Sequence, residues 1–231
     1  MSGAMKYNLQ NNPILLPHQI EILRLFFATS FAKPFFLTGG TALSAFYLAH
    51  RDSKDLDFFS LDKYDPQQLE VVISDIAQKM DCEVFTKVKS DTYNEIYLEN
   101  KSKNWKQRID VVKEQPKRFG EVVDVDGVKV DSLDNIGSNK ITAIFGRLEI
   151  KDYIDLYSIV TQTNHTFDEL FELARQKDLG LSEFYFANTI VDISQIKIWP
   201  DLKIDLDKQA MFDFYQKLTT DLLLKVKPED K

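Results

Sequence analysis

The chain has 231 residues, 44% of them hydrophobic and 12% aromatic, enough to bury a sizeable core as one domain with an appended lobe or as two small domains. Its formal charge of −7 excludes a uniformly basic nucleic-acid-binding surface, so any RNA contact has to be local. The lone cysteine, Cys82, excludes an intrachain disulfide framework and fits a reducing cytoplasm, and no apolar run approaches the ~20 residues of a membrane span.

Met1-Ser-Gly-Ala-Met5 reads as a vector scar before a native start at Met5, and the N-terminus lacks the charged region and apolar segment of a signal peptide. From Pro13 to Phe31, the residues Leu16, Ile20, Leu23, Phe27 and Phe31 recur at helical spacing, which predicts an amphipathic helix packed on a sheet. Pro34 to Thr38 reads as a short buried strand broken by Gly39-Gly40, with a helix from Thr41 to about His50. Glycines let backbone approach a phosphate, and the first amides of the helix turn unpaired N–H groups and positive dipole toward an anion, with the Thr41 hydroxyl at the same end. A second strand is expected over Asp55 to Phe59, where alternation turns Asp55 and Asp57 to one face and Leu56 and Phe58 into the core.

A carboxylate pair beside a phosphate-cradling turn is what metal-dependent nucleotidyl transfer requires, because triphosphate and Mg²⁺ must be held together for in-line attack on the α-phosphorus. Taken singly, Gly39-Gly40 fits an ordinary strand-to-helix connection and Asp55-x-Asp57 a solvated strand face. Their conjunction, one helix length apart, points to the chemistry.

Downstream, Pro66 to Met80 reads as a helix capped by Asp65, and Cys82 to Val88, Thr92 to Glu99 and Trp105 to Val112 alternate as a strand meander. Asp110 in the last of these either completes a metal triad with Asp55 and Asp57 or lies on a wet strand face. Lys101, Lys103, Trp105, Lys106 and Arg108, continued by Lys113, Lys117 and Arg118, are either a local RNA site with a stacking ring or a solvated hairpin with a half-buried Trp. Glu121 to Val125 and Val128 to Asp131 form a hairpin around Asp126-Gly127.

From Ser138 the pattern is helical, and at about 100° per residue Ile141, Phe145, Leu148, Leu156 and Ile159 share a face with Asp152 in its middle. Gly146 is a candidate break, which limits the angular argument to Arg147 to Val160. A buried unpaired charge costs several kcal/mol, so Asp152 requires a cation, hydrogen-bond donors or a metal-bound ligand, Arg147 and Lys151 being the plain structural choices. The C-terminal third predicts helices over Phe167 to Gln176, Ser182 to Ile193 and Lys208 to Leu224, with Phe184-Tyr185-Phe186 as core. His18, His50 and His165 are too scattered for a metal cluster or triad and receive no role.

Gly39-Gly40-Thr41-Ala-Leu, then Arg51-x-Ser53-x-Asp55-Leu56-Asp57-Phe58-Phe59, resembles the AbiEii/AbiGii-type nucleotidyltransferase toxins of the DNA polymerase β-like superfamily. The resemblance continues through Lys140-Ile-Thr-Ala-Ile, Arg147 and Lys151-Asp152-Tyr153-Ile154-Asp155-Leu156, where Lys151 stands in the place of a commoner Arg, and spans roughly Phe35 to Val160. It implies an α+β fold, a nucleotidyltransferase-type mixed sheet flanked by helices, with residues 1–131 as core and 132–231 as a helical C-terminal lobe that lends Lys140 and Asp152 to the cleft. It also implies transfer of an NMP from an NTP to an acceptor hydroxyl with Mg²⁺ (or Mn²⁺) and release of pyrophosphate. Asp55, Asp57 and Asp110 would hold metal. Gly39, Gly40, Thr41, Arg51, Ser53, Lys140, Arg147 and Asp155 would hold nucleotide, the last two also fitting exposed partners on helix turns.

The expected protein is therefore a cytoplasmic toxin of a toxin-antitoxin pair, with tRNA or other RNA as acceptor, a cognate antitoxin and no membrane. Two other readings stand beside it. One is a small-molecule nucleotidyltransferase of the antibiotic-modifying kind, for which the acidic balance suits a cationic substrate. The other is a non-catalytic nucleotide-binding module on the same fold.

Overall fold

The computed structural model of the chain describes residues 5–114, 117–191, 193 and 198–226. Residues 1–4, read above as a vector scar, and residue 192, within the helix expected over Ser182 to Ile193, lie outside the described residues. The elements run α1 (Pro17–Phe27), β1 (Phe35–Thr38), α2 (Gly39–Ala42), a π-helical continuation over Leu43–Leu48, β2 (Leu56–Ser60), α3 (Pro66–Met80), β3 (Glu83–Lys89), β4 (Tyr93–Asn100), β5 (Trp105–Lys113), β6 (Val123–Val125), β7 (Val128–Val130), α4 (Leu133–Gly146), α5 (Ile150–Gln162), α6 (Phe167–Lys177), α7 (Glu183–Ile190) and α8 (Lys208–Val226). The class is α+β, with one seven-stranded mixed sheet in the order β3-β4-β5-β2-β1-β7-β6.

Local chemistry sets several boundaries. Asp65 accepts from the Gln67 amide at 2.8 Å and Pro66 opens α3, as the sequence predicts. Ser132 accepts from the Asn135 amide at 3.1 Å, which starts α4 earlier than the apolar periodicity alone suggests. Gly146 ends α4, so the long helical stretch is two helices. The helix expected over Thr41 to His50 is shorter and mostly π-helical, and it closes with Ala49 in the left-handed region at φ 50°. That wide turn and its left-handed stop redirect the chain, so that His50 and Arg51 leave the helix toward the helical lobe.

One face of the sheet is apolar: Phe35, Leu37, Leu56, Phe58, Ile96, Leu98, Ile109, Val111, Val128 and Val130 are all buried. They share a cluster with Ile22, Leu23 and Phe26 of α1 and with Leu69, Ile73 and Ile76 of α3. Phe26 stacks on Phe58 with ring centroids 4.1 Å apart and meets Phe35 edge-on at 5.6 Å. Alternation sends Asp57, Asp110, Arg108, Glu95 and Tyr97 to the opposite face. The helical lobe packs through its own rings, Phe167, Phe171 and Phe186 between α6 and α7, and Tyr153 against Tyr215 between α5 and α8. Of the aromatic run expected to be core, only Phe186 is buried, while Phe184 and Tyr185 are exposed. Successive helix positions turn about 100°, so three adjacent residues cannot share one buried face. Among the described residues, no helix is long and apolar enough to cross a membrane.

Phe26→Ala should remove the stacked ring with little room for repacking and lower unfolding stability by about 3–5 kcal/mol. Urea unfolding with an unchanged m-value would register the loss as one of packing.

Candidate active site

Strands β1 and β2 are antiparallel, with Thr38 opposite Asp57, so the strand that ends in the glycines lies beside the strand that carries the carboxylates. Gly39 has φ +70°, and a Cβ there would lie 2.1 Å from Asp57 Oδ2. Glycine is needed both for the backbone sign and for the space the carboxylate takes. At Gly40 a Cβ would meet Arg51 Nη2 at 2.4 Å and Ser53 Oγ at 3.0 Å. The space left by the glycine pair is thus taken by Asp57 on one side and by Arg51 and Ser53 on the other. Thr41 is fully buried. Its hydroxyl donates to the Asp55 carbonyl and lies 2.8 Å from Ser53 Oγ, so it ties the loop before β2 to the turn instead of reaching outward as its sequence position suggests.

The acids meet through strand register. β2 and β5 are parallel with Asp57 level with Asp110. Burial, then the charges of Asp110 and Asp55, push the Asp57 carboxyl up to about 7, against the pull of Lys140 and Lys151. Asp110 is also raised, by burial first, although Arg108 holds it through Nε at 3.0 Å and Nη2 at 2.8 Å. Among the described residues, no three His, Cys, Asp or Glu side chains converge on a point that could hold a metal ion. Asp57 and Asp110 share a sheet face, Asp55 acts on both through its charge, and Asp110 is drawn toward Arg108. Their chemistry nonetheless suits Mg²⁺ or Mn²⁺: the donors are all carboxylate oxygens, and the crowding that raises Asp57 is what a divalent cation relieves.

The helical side is a buried ion network. Lys140 on α4 places Nζ 2.9 Å from Asp152 Oδ1 and 2.7 Å from Asp155 Oδ2. Arg147 Nε donates to Asp152 Oδ2 at 2.9 Å. Arg51 forks onto Asp155, Nε to Oδ1 at 2.6 Å and Nη2 to Oδ2 at 2.7 Å. His50 Nε2 lies 2.7 Å from Asp155 Oδ1, with Ser44 Oγ 3.4 Å from Nδ1. Burial opposes ionisation of Asp155, but Arg51, Lys140 and His50 hold its carboxyl well below the usual carboxylate range. Burial also keeps His50 below its ordinary value, so a neutral ring donates its Nε2 proton to Asp155. Lys140 stays protonated: burial works against it, and the Asp155 and Asp152 charges outweigh burial.

Sequence reasoning anticipated a cation for buried Asp152 and finds Lys140 and Arg147 there. For Asp155 it offered a nucleotide contact or an exposed partner on a helix turn, and Asp155 is wholly buried. The signal existed, because Asp155 lies three residues after Asp152 and shares its inward face. His50, given no role, is a member of the network, and its partner is 105 positions away in the chain, beyond any local pattern. The basic patch divides: Trp105 stacks on His18 at 4.4 Å, which also explains His18, and Arg118 pairs with buried Asp131 at 2.9 Å while lying over the Phe36 ring. Only Lys106 and Arg108 of its strand share the face of Asp110.

The fold has solved counterparts. A presumed nucleotidyltransferase from H. pylori superposes with a TM-score of 0.60 at 18% identity, covering 91% of this chain and 96% of its own. JHP933 from Helicobacter pylori gives 0.57 at 18% identity, covering 90% and 91%. No curated protein matches in sequence. The family model for the AbiEii nucleotidyl transferase toxin of type IV toxin-antitoxin systems matches residues 21–221. A match over that span, on a fold that sets paired aspartates against a glycine turn, places the chain in the AbiEii nucleotidyl transferase toxin family.

Proposed function

We propose that the chain transfers a nucleoside monophosphate from an NTP to the hydroxyl of an RNA acceptor, releasing pyrophosphate, as the toxin of a pair whose other half is a cognate antitoxin. The observation that carries this reading is Asp57, pressed against Gly39 and level with Asp110 on the neighbouring strand. Asp55 and Asp57, with Asp110 beside them, are the residues that would hold Mg²⁺, which when bound supplies charge neutralisation at the phosphates.

The remaining chemistry belongs to the chain. The first amides of the helix after Gly39 have no carbonyl one turn back and serve the β- and γ-phosphates. Arg147, half exposed, and Lys151 both act on Asp57 through their charge and receive the negative charge of departing pyrophosphate. The acceptor oxygen forms its bond to the α-phosphorus as the bond to pyrophosphate breaks, and its proton passes to Asp110. Lys140 and Asp152 set the electrostatic wall of the cleft. Residues 1–131 thus bring the metal and the glycine turn, and residues 132–231 the cations.

The direct test is transfer of label from α-labelled NTPs to total RNA, tRNA included, with an aminoglycoside panel in parallel. Label entering RNA supports the reading, label entering only small molecules replaces it, and wild-type turnover absent with every NTP in Mg²⁺ and Mn²⁺ removes it.

Asp57→Asn should abolish transfer and relieve growth arrest on expression. It should also raise the melting temperature of the metal-free protein at pH 8. The sign follows from the raised carboxyl: a folded value near 7 against an ordinary 3.8 makes the ionised group a cost to folding above pH 7. That cost fades as pH falls toward the ordinary carboxylate range, so the variant's advantage should shrink at pH 5.5. A purely structural aspartate would lose stability instead.

Asp155→Asn should lower stability by about 3–5 kcal/mol, because it strands buried Arg51 and Lys140. Guanidinium unfolding at pH 7 and pH 5 should give similar differences. The contribution of a depressed carboxyl is present above the ordinary range and is lost only as pH falls through its folded value.

A further inference from the structure

In-line displacement fixes the direction from which the acceptor must arrive. The glycine turn follows β1, on the β1 side of Asp57, and Lys140 is tied to it through Asp155 and Arg51, so pyrophosphate leaves that way. The attacking hydroxyl therefore comes from the opposite side, where β5, β4 and β3 follow β2 in sheet order and Asp110 is the first acid met.

That side continues as an open strip. Tyr97 faces Arg108 of β5 and Phe85 of β3 in strand register, placing all three on the face of Asp110. Phe85 is 60% exposed, and its ring centre lies 6.2 Å from that of Tyr97. Lys106 Nζ sits 4.6 Å from the Tyr97 ring centre. Beneath them, buried Glu95 takes the Tyr97 hydroxyl at 2.6 Å and Lys87 Nζ at 3.0 Å, with the Tyr93 hydroxyl at 3.2 Å and Arg108 Nη2 at 3.7 Å. One carboxylate thus pins both tyrosines and draws in both cations.

The acids of the strip are matched by cations: Glu95 as above, Glu83 by Lys101 at 2.7 Å, Asp110 by Arg108, and Glu99 by Lys106 opposite it in register. On a chain of net charge −7 this is a neutral, lysine-edged strip, with the exposed Phe85 ring and the half-buried Tyr97 ring between the cations. An apolar protein partner has no use for lysines beside the rings, and a small cationic substrate would find no unmatched carboxylate there. Nucleic acid uses both, stacking bases on rings and placing phosphates near ammonium groups.

We propose that the face of β3, β4 and β5 built on Phe85, Tyr97 and Lys106 is the platform for the bases preceding the 3′ end of a single-stranded RNA acceptor. Lys106 stands on β5 itself, Tyr97 one strand spacing from it and Phe85 two, about 5 and about 10 Å, a nucleotide or two behind the attacking hydroxyl. The direction of approach rests on the nucleotidyl-transfer reading; the ring geometry does not.

Fluorescence anisotropy with a labelled single-stranded RNA of about 12 nucleotides and a free 3′-hydroxyl, without NTP, separates the two. Phe85→Ala and Tyr97→Ala should each weaken binding about tenfold, while Tyr97→Phe, which keeps the ring, stays close to wild type. Trp105→Leu, on the far face, should bind as wild type, and Phe85→Ala should melt as wild type. Wild-type protein that does not bind the RNA, or ring variants that bind it unchanged, overturns the platform. Ring variants that lose a co-purifying protein partner with RNA affinity intact overturn it too and assign the face to that partner. If the ring variants lose RNA affinity while no NTP is ever transferred, the platform stands and the transferase reading falls. Transfer that persists in the ring variants with an unchanged KM for RNA has the reverse meaning.

Discussion

A buried carboxylate ties the glycine-turn segment to helices α4 and α5. Asp155, on the helical side, is shared by Arg51 and His50, which leave the glycine-turn helix, and by Lys140 from α4. Removing an ion from water is costly, and such a group is tolerated only when donors close around it. Here a forked guanidinium, an ammonium and an imidazole do so. Because Arg51 Nη2 also fills the space beside Gly40, the hub holds the glycine turn at a set position against α5. Lys140 cannot move toward a ligand without leaving two carboxylates behind. The cations with freedom to follow a phosphate are the more exposed Arg147 and Lys151.

What could be read in the chain follows from the range of each signal. Strands with period-two alternation, the Asp65-Pro66 helix start and the Asp126-Gly127 turn are decided by neighbours in sequence, and they appear nearly where expected. The carboxylate pair and the glycines were legible because both lie within one strand-helix-strand span. The hub was only half legible. Asp152 betrayed itself as a charge on an apolar face, and the same argument extends to Asp155, but nothing local ties His50 or Arg51 to a residue more than a hundred positions on. The π-helical turn was hidden for a different reason: Leu43 to Leu48 is wholly buried and mostly apolar, so no charged stripe marks its pitch.

The divided fate of the basic segment shows how a strand defeats a reading by composition. Lys101 to Arg108 looks like one patch in sequence, yet pairing sends Trp105 toward His18 and Lys106 and Arg108 to the other face. The rings that accompany those cations come from β4 and β3, the partner strands. A stacking surface on a sheet is assembled across strands and seldom along one, since consecutive side chains alternate sides.

The same alternation orders the chemistry across the sheet. Moving from β1 to β3, one face presents the glycine turn, then Asp57, then Asp110, then Glu95 with its tyrosines, then Phe85. Negative charge is most crowded at the two central aspartates, where Asp57 is pushed to about 7, and it is answered by cations on both flanks. An arrangement built only for stability would separate those carboxylates or pair each with a base, as the sheet does for Glu95 and Asp110. Asp57 alone is left facing glycine, with like charges beside it and its compensating lysines held at a distance. That position is the ground on which the proposed divalent-cation site rests.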